Sequence, residues 1–519
     1  MRVSRRRWLI STAVIAALLS AAAIGVASRV PLTSETLRAR TRAALADRFD
    51  ADVDLDRLSL HLFPRLRASG AGLRIYFRHR RDVPPLVAVE AFSIEADLVG
   101  LWRRRVERVQ LTALAINIPP GNARHEDTPE AAPPAPPGGS ASFAKEFVIA
   151  RVDAPDAQVT ILRSDPAKTP RVWYLHRLLL KEVGPGRSMP FETFLTNAVP
   201  PGQIAATGHF GPWQRDEPGA TPLDGQFTFD NADLSVFKGI AGVLSASGRF
   251  DGSLQRIAVD GVTRTPDFMV TLSGHAMQLD TTYHAVVDAT NGNTTLAPVD
   301  ARFGDTRLRA EGGVYEQEGV KGRSIRLDVS IDGGRLEDVL RLAVPTPKPT
   351  MTGAVEVRTR MEIPPGPEDV VEKLALDGRF AITGGRFTDR GVQQRITGLS
   401  RRAQGRDPES RSAAVRSNFA GRFRLERARL AMPLLTFEVP GAVVSVRGAY
   451  ALRQEQLQFA GTVYMDAKLS DTTTGWKSWL LKAADPVFRR NGRTRIPIRI
   501  SGTRNDPKFG LDMKRVFRR

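Results

Sequence analysis

The sequence predicts a mainly β chain with a few helices, preceded by one transmembrane helix. Three observations carry that prediction. An uncharged run from Trp8 to Ser28 follows Arg2, Arg5, Arg6 and Arg7. Apolar residues alternate with polar ones from Asp52 onward, and a short Gly-containing phrase recurs ahead of strand-like segments in the second half. At 519 residues the chain exceeds the size at which single cores stop growing, so it forms several domains or one elongated, repetitive architecture.

Residues 1–29 read as the anchor. The run from Trp8 is long enough to span a bilayer, which takes about 20 apolar residues, whereas a signal-peptide core usually has about 7–15. The small residues at Ala21–Ala23 and Val26–Ser28 also suit a signal peptidase, so cleavage stays open as the alternative. The leading arginines place the N-terminus in the cytoplasm and the body outside it, although Arg29, Arg38, Arg40 and Arg42 dilute the asymmetry.

Residues 30–120 begin with a helix, "SETLRARTRAALADRF", with Ser34 as N-cap and Leu37, Ala44 and Leu45 on one stripe. The period then changes to two. Val53 and Leu55, then Leu58, Leu60 and Leu62, then Leu73, Ile75 and Phe77 mark strands. "AFSIEADL" follows with Phe92, Ile94, Ala96 and Leu98, and "LTALAINIP" supplies another strand. Residues 121–142 are rich in Pro, Ala and Gly without an apolar period, and read as a linker.

Residues 143–519 read as a quasi-repetitive sheet domain. "SGRF", "DGRF" and "AGRF" recur at Ser247, Asp377 and Ala420, with the echo "DGQF" at Asp224. Glycine lets a twisted sheet bend or a neighbouring backbone approach, and the apolar residue that follows returns to the buried face. The spacing is too irregular for a propeller or a fixed-period solenoid. Amphipathic helical stretches are scarce: "DLSVFKGIAGVL", "RLEDVLRLAV" and "GWKSWLLKAADPVF".

The clearest strand pair is "VVSVRGAYAL" with "LQFAGTVYMDAKL". Val444, Val446, Tyr450 and Leu452 face one way, and Leu457, Phe459, Val463, Met465 and Leu469 continue that face on the return strand. Near the C-terminus Ile496, Ile498 and Ile500 share a face, and "GTRNDP" supplies turn residues before a last strand through Phe509 and Leu511. Pro497 argues for an edge position early in that strand. A one-sided apolar sheet this long is covered by a second sheet, packs a closed core, or curls so that its apolar interior accommodates something else.

No catalytic constellation is recognisable. "DADVDLD" at Asp50 resembles a calcium loop, but Leu55 occupies the position that needs glycine and His61 the position that needs glutamate, so outward aspartates on a strand explain it better. "SFAK" at Ser142 lacks the companion motifs of a Ser/Lys acyl-transfer site. The seven histidines show no metal-ligand spacing. With Cys at 0, thiolate chemistry and iron–sulfur clusters are excluded. The expectation is no enzyme, no catalytic residues, no metal and no cofactor. The net charge of +19 would suit nucleic acid in a cytosolic protein, but an exported body meets anionic lipid headgroups instead.

Taken in order, several phrases resemble the AsmA family: the anchor, "LHLFPRLRASGAGLRI" from Leu60, "GQIAATGHFGPW" from Gly202, "GQFTFDNADLSVFKGIAGVLSASGRFDGSL" from Gly225, "GRFAITGGRFTDRGVQQRITGLSRRAQG" from Gly378 and "IPIRISGTRNDPKFGLD" from Ile496. The resemblance implies a single-pass inner-membrane protein with a periplasmic body, built as a long, twisted, curled antiparallel sheet with an apolar groove. It implies a role in outer-membrane biogenesis and phospholipid movement. The expected groove lining is Val444, Val446, Tyr450, Leu452, Leu457, Phe459, Val463, Met465, Leu469, Ile496, Ile498 and Ile500, and the expected partners are phospholipid or another lipid, the inner membrane, and outer-membrane or other envelope proteins. The alternative is a structural or assembly factor for outer-membrane proteins that moves no lipid.

Overall fold

The computed structural model describes residues 34–49, 51–61, 65–76, 81, 83–118, 147–161, 170–214, 217–316, 322–366, 368–406, 414–468, 489–490, 493–503 and 506–511. The expected anchor, the linker at 121–142, the helical stretch ending at Phe488, Leu469 and the basic tail lie outside the described residues. Among those that are described, no helix is long and apolar enough to cross a membrane. The chain is mainly β with few helices, and it divides into two compact units: residues 1–236 with 244–262 and 286–292, and residues 237–243 with 263–285 and 293–519.

The first unit opens with α1 (Ser34–Phe49), a run of Ala, Leu and Arg with high helix propensity and Glu35 in its first turn. Its buried stripe is Leu37, Thr41 and Leu45, following i, i+4, i+8, while the expected Ala44 faces water because that stripe runs to one side of it. Strands β1 (Asp52–Asp54), β2 (Arg57–His61), β3 (Leu66–Tyr76) and β4 (Val87–Ala96) follow, with β1, β2 and β4 all antiparallel to β3. Val53, Leu58, Leu73, Ile75, Val89 and Ile94 are buried with Leu37 and Leu45; period two links Leu73 with Ile75 and Phe92 with Ile94, and the buried phase of β4 shifts between Val89 and Phe92.

Beyond β4 comes α2 (Leu98–Trp102), then β5 (Arg105–Val106), β6 (Arg108–Thr112) and β7 (Ala115–Ile118). Leu98, expected to continue the inward face of β4, is 79% exposed. Asp97 ends the strand there by accepting a hydrogen bond from the Gly100 N–H and starting a helical turn. Strand β8 (Val148–Ile161) then runs parallel to β5, β6 and β7, so the sheet is mixed where an antiparallel one was expected. Strands before and after residues 119–146 thus share one core, in which Val106, Val109 and Leu111 pack with Ile149 and Val152. Antiparallel pairing resumes through β9 (Arg171–Val183), β10 (Met189–Ala198), β11 (Pro201–Phe210) and β12 (Pro222–Asp233).

"DLSVFKGIAGVL" is not the expected amphipathic helix. It holds a single helical turn at Leu234–Val236, then β13 (Ile240–Ala241) and the start of β14 (Val243–Ser253). Gly239 and Gly242, at φ +101° and +131°, stop the helix because each takes a backbone conformation no helix contains. Strands β15 (Arg256–Val270) and β16 (Ala276–Val287) come next.

The second unit contains an antiparallel meander in chain order: β17 (Thr294–Phe303), β18 (Thr306–Glu316), β19 (Arg323–Arg335), β20 (Met351–Ile363), β21 (Ala375–Phe387), β22 (Ser417–Glu426), β23 (Arg429–Val439), β24 (Ala442–Ala451) and β25 (Gln456–Met465). The two-residue β26 (Arg489–Arg490), β27 (Arg493–Thr503) and β28 (Pro507–Leu511) complete it, with β27 antiparallel to β25, β26 and β28. Pairing of β27 with β28 begins at Ile498, one residue past Pro497, so the proline's missing N–H faces no partner in β28.

Among the described residues three helices interrupt this meander: α3 (Leu336–Ala343), α4 (Val370–Lys373) and α5 (Arg390–Ala403). The first is the helix expected from "RLEDVLRLAV". It packs Leu336, Val339 and Leu340 with Ile331, Met351 and Val355. The last seats Ala403 and Ile396 with Val439, Ala442 and Met465. Both cover the same rim of the sheet, where β19 hands over to β20 and β23 to β24.

Candidate functional site

The candidate groove-lining residues converge on one face of the second unit. Val444 of β24 stands opposite Val463 of β25, which stands opposite Ile496 of β27. Val446 is followed by Gly461 and Ile498, Gly448 by Phe459 and Ile500, and Tyr450 by Leu457. Because a pleated strand alternates sides, these four rows lie on a single face. Met465 lies at the rim beneath α5. Leu452 is in the turn beyond β24, where its N–H donates to the Ala428 carbonyl, so it leaves the strand it was expected to extend.

The rows continue well past the residues read from the sequence. Phe437 stands opposite Val444 and Leu435 opposite Val446, then Phe419 opposite Phe437 and Ile382 opposite Phe419. Val355, Val357 and Ile331 extend them through β20 and β19. Twelve strands from β17 to β28 share the meander, and the eleven other than the two-residue β26 make a sheet roughly 50 Å across at an interstrand spacing of about 4.8 Å. Phe419 and Phe437 are 4.8 Å apart between ring centroids, and Phe380 and Phe423 are 6.2 Å apart.

The recurring Gly phrase accounts for this regularity. In "DGRF" and "AGRF", Gly378 stands opposite Phe423 and Phe380 opposite Gly421, with the Phe380 ring lying over Gly421. A Cβ at Gly421 would come within 3.0 Å of the Phe380 ring. In the first unit "DGQF" and "SGRF" make the contact in both directions: a Cβ at Gly225 would meet Phe250 at 2.7 Å and one at Gly248 would meet Phe227 at 2.9 Å. Glycine leaves a gap on the sheet face and the cross-strand aromatic fills it. The sequence showed the phrase; its reciprocal pairing needs the register.

Burial divides the face. Val446 and Phe459 are buried by their cross-strand neighbours, and Met465 is buried at the rim. Val444, Tyr450, Leu457, Val463, Ile496, Ile498 and Ile500 are half-buried, as are Leu435, Phe423 and Phe380. The α3 and α5 contacts lie at the β19–β20 and β23–β24 rim, while the half of the face carrying Tyr450, Leu457 and Leu430 meets neither helix in those clusters. Sequence reading missed α5 because its packed side mixes the polar Gln393 and Ser400 with Ile396 and Ala403. Gln393 donates to the Val415 carbonyl and accepts from the Phe387 N–H, and the Ser400 hydroxyl donates to the Pro440 carbonyl at 2.7 Å. The available signal was Asp389, which accepts from the Val392 N–H as N-cap.

The opposite face is ionic. Asp328, Arg360, Asp377 and Arg424 form one cross-strand row of alternating sign, with Arg360 3.2 Å from Asp328 and Arg424 2.7 Å from Asp377. An open depression of about 730 Å³ lies there, lined by Arg309, Arg358, Arg379 and Arg422 with Asp328 and Asp377. Such exposed pairs add little stability each, but they fix which face is wet. This depression suits ions rather than acyl chains.

The aspartates of "DADVDLD" are held as a strand requires. Val53 and Leu55 are buried, while Arg81 reaches Asp52 at 3.2 Å and Asp54 at 3.1 Å, and Arg74 reaches Asp56 at 3.2 Å. His209 donates to Asp224 at 3.0 Å, and His275 Nε2 lies 2.9 Å from the Thr346 carbonyl. Among the described residues no cluster of three or more histidines or carboxylates is placed to hold a metal. Comparisons with protein-family models, with curated proteins and with solved structures return no match.

Proposed function

We propose that this chain is a membrane-anchored envelope protein that binds or moves phospholipid along the apolar face of its second unit, in the manner the AsmA resemblance implies. One observation carries the reading: the half-buried rows Val444–Val463–Ile496 and Tyr450–Leu457 continue strand after strand, backed by an ionic face. An acyl chain laid across those rows exchanges water for apolar wall, a gain of about 0.8 kcal/mol per buried methylene. Repeated similar rows give many shallow sites rather than one deep one, which suits passage along the sheet. In this reading the body is periplasmic, the inner membrane holds the run from Trp8 to Ser28, and the sheet curls to shelter the acyl chain.

The test is the lipid itself. The full chain, extracted gently and examined by native mass spectrometry, is expected to carry phospholipid. Leu457→Glu and Ile498→Glu change half-buried positions, so the variants are expected to keep their β circular dichroism and lose the lipid. Val446 and Phe459 are poorer choices because they are already buried by protein. A lipid-free wild type whose sheet unfolds on either substitution would mean that the face is an ordinary protein core.

A further inference from the structure

The chain leaves a tightly packed core at Ala96, 2% exposed, and re-enters it at Val106, 0% exposed. Between them α2 presents Leu98, Val99 and Trp102 at 79%, 57% and 84% exposure. Trp102 follows Leu98 by four residues and Val99 by three, so all three share one side of the turn. Asp97 holds that turn by accepting the Gly100 N–H, and Leu101 packs toward the core, which fixes the outward direction of the others. Single exposed apolar residues are ordinary; three on one turn call for a cover.

Charge identifies the cover. Arg103, Arg104 and Arg105 follow directly, and all three are exposed. The acids nearby are already engaged: Asp97 with Gly100, and Glu182 with Arg105 and with Arg187. Tryptophan favours the boundary between hydrocarbon and headgroups, and arginines beside it reach phosphate while their stems lie on apolar surface. We infer that Leu98, Val99 and Trp102 form a membrane-interface tip that seats in an anionic bilayer, with Arg103 and Arg104 on its headgroups. The inference stands on the first unit alone and does not depend on lipid binding by the second.

The experiment uses the full chain reconstituted in vesicles of phosphatidylcholine with or without phosphatidylglycerol, carrying bromine-labelled acyl chains. The difference in emission between the wild type and Trp102→Phe isolates Trp102. That difference is expected to be blue-shifted and quenched by about half or more in the anionic vesicles. Less quenching is expected in pure phosphatidylcholine, and less again in Leu98→Ser/Val99→Ser or Arg103→Gln. Circular dichroism of each variant confirms that the sheet is intact. Trp102 emission that stays red and open to acrylamide in every vesicle overturns the inference. Shielding from acrylamide without quenching by bromine also overturns it, because protein would then cover the tip.

Discussion

Phe380 on β21 lies across from Gly421 on β22, and a side chain at position 421 has no room: a Cβ there would sit 3.0 Å from the ring and 2.8 Å from the Leu434 carbonyl oxygen. Gly421→Ala is therefore expected to destabilise the chain by about 1–3 kcal/mol, the usual range for overpacking. Phe380→Ala added to it restores only part of the loss, since the carbonyl stays where it is. Thermal unfolding of the two single variants and the double variant measures both effects.

Asp338 is 7% exposed and accepts from the Asp305 N–H at 2.9 Å and the Thr306 hydroxyl at 3.0 Å, tying α3 to the β17–β18 turn. Asp338→Ala leaves the Asp305 N–H unpaired and the Thr306 hydroxyl with only the Arg335 carbonyl at 3.4 Å, and is expected to cost about 2 kcal/mol. Gly304→Ala strikes the same contact from the other side. Its φ of +57° disfavours a side chain, and the new Cβ would lie 2.8 Å from the Asp338 carboxylate. Denaturant titration that leaves either variant as stable as the wild type contradicts this account.

Burial pushes the Glu337 carboxyl up, but its own backbone N–H, Arg335 and the Gly353 N–H outweigh that and hold it below the usual glutamate value. A depressed folded value contributes stability that is complete above the unfolded value and is lost as pH falls through the folded one. Glu337→Gln is thus expected to lower the unfolding temperature most at neutral pH, with the gap to wild type closing in acid. A gap that stays constant across the acid range would show that the charge contributes nothing.

The Ser400 hydroxyl, fully buried, donates to the Pro440 carbonyl and accepts from the Gln404 side-chain amide at 3.1 Å. Ser400→Ala is expected to cost about 1 kcal/mol. Because the bond joins α5 to the β23–β24 turn, the loss should appear first as faster amide hydrogen exchange within residues 390–403.

Alternation made the strands legible wherever one face is wet: Leu73 and Ile75, Val444 and Val446, and Ile496, Ile498 and Ile500 all fall as their period requires. The candidate rows were readable for β24, β25 and β27 because those strands are close in sequence. Their continuation through Phe437, Phe419 and Ile382 was not, since it depends on register across strands separated by α5 and by bulges such as the one between Ile382 and Gly385. Leu98 misled because alternation alone does not mark where Asp97 ends the strand. Helix α5 escaped notice because Gln393 and Ser400 share its packed side with Ile396 and Ala403, which breaks up the apolar stripe.

Strand β8 lies parallel to three short strands that precede residues 119–146, and its side chains complete their core. The covalent path through that segment is therefore not what keeps the two portions together. A protease cut there should yield two fragments that co-purify under native conditions and separate only in denaturant. The same segment offers a place to split the gene for complementation, or to insert a reporter domain, without disturbing the core that the two portions of the first unit share.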